Sequence, residues 1–175
     1  MPKSIKLNND TYIDSSGIAH NKETLKNILN NFKGQLVMAI TAARNKTTTM
    51  NNQNIPFDIL NKIFTFDGCD ASLSNGVVTL TLPPGNYVAK VNASIWVGLN
   101  SWDYMLLNIY AVNSIVARAM ASKPSGNWGF VLTEGITKVN NGTTLSAYLN
   151  TNGNDFNDNN ITYTDTKMDI LVYRI

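Results

Sequence analysis

Between Tyr87 and Val97 the chain alternates almost without a break: Tyr87, Ala89, Val91, Ala93, Ile95 and Val97 share one phase, and Lys90, Asn92, Ser94 and Trp96 share the other. Successive side chains of an extended strand point to opposite sides, whereas a helix would scatter both sets around its circumference. A strand this long, with one apolar and one mostly polar side, belongs in an antiparallel sheet that packs one face on a core. Such a strand is not stable alone.

Its partners are legible as shorter extended runs at 36–42, 59–66, 76–82, 104–112, 115–122, 129–133, 143–149 and 167–175, separated by turn-forming residues such as Asn75-Gly76 and Pro83-Pro84-Gly85. Eight or nine short strands in about 140 residues predict an antiparallel β-sandwich or barrel. The composition agrees, since 26 asparagines and 17 threonines favour turns and exposed strand faces over helices. Residues 44–56 and 150–160, rich in Asn and Thr, read as polar loops.

The first 34 residues differ. Short extended pieces around Ile5 and Tyr12 precede one helical pattern, with Asn21 as cap and Leu25, Ile28, Leu29 and Phe32 at i, i+3, i+4 and i+7. This predicts a helix over about 21–32, ended by Gly34. A helix this short must bury its stripe against the main domain or against sister chains. The expected organisation is an attachment or trimerisation segment at 1–34 and a β domain at 35–175.

Charge and cysteine content restrict function. Fourteen basic and twelve acidic residues in 175 give a net charge of +2, too dilute for a protein that binds nucleic acid by neutralising phosphates. No run of 18 apolar residues is present for a membrane-spanning helix. The single cysteine, Cys69, and single histidine, His20, leave no zinc set and no disulfide framework, and their separation gives no basis for a Cys/His catalytic pair. Asp67 and Asp70, and the group Asp155, Asn157, Asp158 and Asn159, supply oxygen ligands for Ca²⁺ but lack the glycine and terminal glutamate of an EF-hand. They read as solvated turns, and no metal or other cofactor is expected. No carboxylate pair stands out by spacing as a glycosidase couple, and the expectation is a protein without enzymatic activity.

The aromatic residues suggest where a ligand could bind. Trp96, Trp102, Asp103, Tyr104 and Trp128 put rings beside Asn and Asp, a combination suited to carbohydrate, whose C–H faces stack and whose hydroxyls hydrogen-bond. The same rings suit filling the core or an interface between protomers, and the cost of exposing tryptophan favours that role for at least one of them.

The run Asn75-Gly76-Val77-Val78-Thr79-Leu80-Thr81-Leu82-Pro83-Pro84-Gly85-Asn86-Tyr87-Val88-Ala89 resembles the trimeric jelly roll of the tumour necrosis factor and complement-globular-head superfamily, with its Pro-Gly turn and Gly-x-Tyr opening of a long central strand. Leu132 to Val139 is similar to that superfamily's apolar run and Gly-Asp turn, with Ile136 at the acidic position, and an apolar final strand at 168–175 ends both. The resemblance implies a mainly β jelly-roll sandwich forming a homotrimer, with Tyr87, Leu171 and Tyr173 near the threefold axis. The stripe Leu25, Ile28, Leu29 and Phe32 is expected to add to the trimer interface.

The segment Ser4-Ile5-Lys6-Leu7, Tyr12 to Ile18, His20-Asn21 and the following stripe resembles the amino-terminal part of tail-fibre and receptor-binding proteins from phages of Gram-positive hosts. That likeness implies a virion protein made in the bacterial cytoplasm. Its amino terminus would join other virion proteins, and its head would adhere to a bacterial surface glycan or other receptor. A tail or baseplate component whose head binds another virion protein, and a polysaccharide hydrolase, are the alternatives.

Overall fold

The computed structural model describes residues 5–6, 11–13, 19–21, 34–44, 53–98, 104–122, 128–152 and 162–175. The chain forms two compact units, residues 1–35 with Ile175, and residues 36–174. In the first unit β1 (Ile5–Lys6), β2 (Thr11–Ile13) and β3 (Ala19–Asn21) form a small antiparallel sheet in that order. Tyr12 is opposite both Lys6 and His20. Asn21, expected as a helix cap, is the last residue of β3, and the rest of the expected helix lies outside the described residues.

The second unit is a sandwich of two antiparallel sheets. One contains, in spatial order, β12 (Trp128–Val139), β9 (Tyr87–Gly98), β14 (Thr162–Arg174), β4 (Gln35–Arg44) and β6 (Ile59–Thr65). The other runs β11 (Ser114–Ser122), β10 (Tyr104–Ala111), β13 (Thr144–Asn152), β8 (Val77–Thr81) and β7 (Asp70–Ser74), with β5 (Gln53–Asn54) paired to β13. Consecutive strands repeatedly sit in different sheets, so the order within each sheet is far from sequence order.

The alternation that defines β9 sets the core. Tyr87, Ala89, Val91, Ala93 and Ile95 are all buried, as are Met168, Ile170 and Val172 on β14 and Met38, Ile40 and Ala42 on β4. Met105, Leu107 and Ile109 of β10 and Leu145, Ala147 and Leu149 of β13 face them from the second sheet. Each large side chain so buried stabilises the fold by about 1.5–3 kcal/mol relative to exposure.

Asn75 and Gly76 form the two-residue hairpin between β7 and β8, at φ 49° and 77°. This is the left-handed pair that such hairpins require. Gly85 has a different reason: a Cβ there would lie 3.0 Å from the ring of Tyr87, so the Gly-x-Tyr spacing lets the tyrosine fold back over bare backbone on its way into the core.

Two expectations need correction. Residues 129–133 and the turn expected near Gly135 are one continuous strand, β12, which pairs with β9 along all twelve residues from Trp128 opposite Gly98 to Val139 opposite Tyr87. Asp70, read as part of a turn, opens β7, its carboxylate held by the ammonium of Lys62 and the amide of Ala71.

Candidate functional site

The reason β12 reads poorly as a strand is also what makes it a candidate site. Its inward positions, set by pairing with Ile95, Ala93, Val91, Ala89 and Tyr87, are Val131, Thr133, Gly135, Thr137 and Val139. The larger apolar side chains, Phe130, Leu132 and Ile136, occupy the other phase. They are 44%, 56% and 67% exposed on the outer face of the five-stranded sheet. The hydrophobic phase of this edge strand thus points away from the core, the reverse of a sheet that keeps its polar side in water. Gly135 is required on the inner side, since a Cβ there would stand 2.8 Å from Cβ of Ala117 and 2.9 Å from the carbonyl of Val116 on β11. The two sheets close on each other at that edge.

The same outer face continues across the sheet. Val88, Lys90, Asn92 and Ser94 of β9 lie on it, opposite Lys138, Ile136, Glu134 and Leu132 of β12 and opposite Tyr173, Leu171, Asp169 and Lys167 of β14. Leu171 and Tyr173 are half-buried. Lys90 pairs with Glu134 at 3.1 Å and Lys167 with Asp169 at 3.4 Å. The Thr41 hydroxyl donates to Asp169 at 2.6 Å. Exposed ion pairs of this kind add little stability. They place both signs of charge among the apolar side chains of this face.

The residues expected to form a trimer interface are therefore distributed unevenly. Leu171 and Tyr173 are on this face. Tyr87 is not: it is 3% exposed, because its phase in β9 is that of Ala89 and Val91, and burial pushes its hydroxyl above the ordinary value despite the opposing charge of Arg174. Leu25, Ile28, Leu29 and Phe32 lie outside the described residues. Phe130, Leu132 and Ile136 were not picked out from the sequence as surface residues. The signal was there, since they share a phase with Glu134 and Lys138 around an inward Gly135.

Of the expected ligand-binding residues, Trp96, Tyr104 and Trp128 lie on strand backbone elsewhere, close to strand ends. Trp128 is opposite Gly98, which is also opposite Thr162, and Trp96 is opposite Phe130. Tyr104 begins β10 opposite Ser122 and Asn152. The ends of β9, β11 and β13 and the starts of β10, β12 and β14 thus meet at one end of the sandwich, carrying Trp96, Tyr104 and Trp128 with them. Trp102 and Asp103 fall in the segment between Gly98 and Tyr104, outside the described residues.

Elsewhere on the outer face of the second sheet, Arg118 donates to Asn108 at 2.7 Å, and the rings of Tyr110 and Tyr148 meet edge to face at 6.1 Å. Cys69 is buried, and desolvation raises its thiol above the ordinary 9.0 despite the charge of Arg174, which makes it a weak nucleophile at neutral pH. Among the described residues no group of three His, Cys, Asp or Glu side chains is placed to hold a metal ion.

The architecture is shared with a solved structure, the crystal structure of murine APRIL at pH 5.0, at a TM-score of 0.52 over 81% of this chain and 100% of the other. The sandwich is a tumour-necrosis-factor-like jelly roll. At 9% identity the likeness is one of fold alone. No family model and no curated protein matches the sequence. A jelly roll of this kind does not fix function, which has to be argued from its surfaces.

Proposed function

We propose that the chain is a non-enzymatic adhesion module that works as a homotrimer, its copies meeting through the outer face of the five-stranded sheet. Its ligand would bind at the end where Trp96, Tyr104 and Trp128 converge. The observation that supports this most directly is the reversed hydrophobic phase of β12, which leaves Phe130, Leu132 and Ile136 exposed beside Leu171 and Tyr173. Large apolar side chains exposed together on one sheet face mark a surface to be covered. The tumour-necrosis-factor-like fold is consistent with a threefold assembly, and the likeness of the amino-terminal segment to phage tail-fibre proteins supports a role as the distal head of a virion fibre adhering to a bacterial surface glycan. Three copies would combine weak single sites through effective concentration.

Sedimentation of the full chain tests the assembly. The expected species has three times the 19.3 kDa chain mass, and the double substitution Leu132→Glu, Ile136→Glu shifts it to single chains without loss of β structure. A wild-type protein that stays a single chain at tens of micromolar overturns the reading. Binding of the trimer to immobilised host-wall saccharides tests adhesion. Retention by another virion protein with no saccharide binding would favour the structural alternative.

A further inference from the structure

The outer face of the second sheet carries a single charge toward its β11 edge. Arg118 is the only charged residue in β10, β11 and β13. The one acid in the described strands of that sheet, Asp70, opens β7 at the opposite edge and is held by Lys62. Through the strand pairing Arg118 stands in a row with Asn108 and Tyr148. Met120 and Leu106 flank this row on one side, and Ile115 and Tyr110 on the other.

Asn108 is the unusual member of the row. Its neighbours Leu107 and Ile109 belong to the core, so its own phase faces outward, yet it is only 3% exposed. Its Oδ1 accepts from Nε of Arg118 at 2.7 Å. A charge-assisted bond to a buried partner fixes a side chain that is otherwise rich in rotamers, and that order has an entropic cost. With Nε engaged, the two terminal nitrogens of the guanidinium remain, and no carboxylate among the described residues pairs with them. They form a planar fork that matches two oxygens of a carboxylate or a phosphate end-on. Arg118 is exposed, so a ligand can reach it from solvent. Met120 and Ile115 beside it are 68% and 44% exposed and offer apolar surface to the body of such a ligand.

We propose that Arg118, positioned by Asn108, is an oxyanion subsite, and that the glycan bound by this module is an acidic one whose carboxylate or phosphate takes the guanidinium end-on. The inference rests on the adhesion reading above and names its class of saccharide. Tyr104, close to the strand ends that carry Trp96 and Trp128, shares its outward phase in β10 with Leu106 and Asn108. Four residues of antiparallel strand span about 14 Å. One chain of sugars lying along β10 and β11 therefore reaches from that end to Arg118. The outer faces of the two sheets are on opposite sides of the sandwich, so copies meeting through the five-stranded sheet leave this face open. A neutral glycan offers Arg118 only hydroxyls and forgoes both the charge pairing and the fork geometry.

Binding of the full chain to two matched pairs of immobilised polysaccharides tests it: polygalacturonate against its methyl ester, and phosphomannan against neutral mannan. Wild type is expected to bind one acidic member or both about tenfold more tightly than the neutral counterpart, and the pair in which this occurs identifies the anion as carboxylate or phosphate. Arg118→Gln is expected to lose that preference and to bind the neutral members as wild type does. Arg118→Lys, which keeps the charge without the fork, and Asn108→Ala, which keeps the guanidinium but frees it, are each expected to retain a preference of only about threefold. Thermal melts establish that the variants fold, and the two Arg118 variants decide if Asn108→Ala does not. A preference intact in a folded Arg118→Gln overturns the proposal, and one intact in a folded Asn108→Ala overturns the positioning role. A wild type that binds host-wall saccharides without preferring either acidic member overturns this proposal alone, whereas one that binds no saccharide, acidic or neutral, overturns the adhesion reading with it.

Discussion

Replacing Gly135 by alanine tests the closure of the sandwich at its β11–β12 edge. The added methyl would sit 2.8 Å from Cβ of Ala117 and 2.9 Å from the carbonyl oxygen of Val116. Comfortable carbon–carbon contact is about 3.5–4.0 Å, so the strands must separate by about 1 Å. The second obstacle is backbone and cannot rotate away. Overpacking of this kind costs about 1–3 kcal/mol. Alanine recovers about 0.5–1 kcal/mol of that, because glycine in a strand loses more conformational freedom on folding. At mid-range values of about 2 and 0.75 kcal/mol the net destabilisation is about 1 kcal/mol, a fall in Tm of about 2–4 °C for a domain of this size. The assay is thermal unfolding by circular dichroism at one fixed protein concentration, because association makes Tm depend on concentration. Adding Ala117→Gly removes the methyl contact but leaves the carbonyl, so the penalty should shrink by about 0.5–1 kcal/mol without vanishing. A Gly135→Ala protein that melts at or above the wild-type temperature would refute the close approach of the two edges.

Two further predictions follow from the same kind of geometry and from titration. Gly76 and Gly142 share a left-handed backbone, φ 77° and 80°, but a Cβ at Gly76 would meet the Ile55 carbonyl oxygen at 2.3 Å while one at Gly142 meets nothing within 4 Å. Gly142→Ala should cost only the backbone term of about 1–2 kcal/mol and Gly76→Ala about 2–5 kcal/mol in urea denaturation; equal losses would remove Ile55 from the explanation. Burial raises both Cys69 and Tyr87 above their ordinary values of 9.0 and 10.0, so the native state holds these protons longer than the unfolded chain. Their contribution is complete below those values and is lost as pH rises through them, so stability should decline from about pH 9 upward. The combined Cys69→Ala, Tyr87→Phe variant should flatten that decline, and an equally steep loss in the variant would assign it to other groups.

The fold was legible where one physical pattern dominated. In β9, β10 and β13 strict alternation separates a buried phase from an outward one, and the sequence carries both the strand and its orientation. It failed where two constraints overlap on one segment. In β12 the inner phase must be small to admit Ala117 and the outer phase is apolar, so the expected contrast is inverted and Gly135 reads as a turn. The strands β5 and β7 are too short, at two and five residues, for alternation to be distinctive. Of the candidate association face, only Leu171 and Tyr173 were found in advance, through resemblance and not through spacing. The row formed by Glu134, Asn92 and Asp169 draws on three strands distant in sequence and exists only through their register.

The convergence of six strand ends beside Trp96, Tyr104 and Trp128 separates two kinds of change available to this molecule. The intervening segments 99–103, 123–127 and 153–161 begin and end on strands whose positions are already fixed by pairing across the sheets. Changes in segments that join fixed strand ends are in general tolerated better than changes within paired strands. Substitution at these strand ends can therefore proceed while the paired strands are inherited unchanged, much as a tool keeps its handle when the bit is replaced.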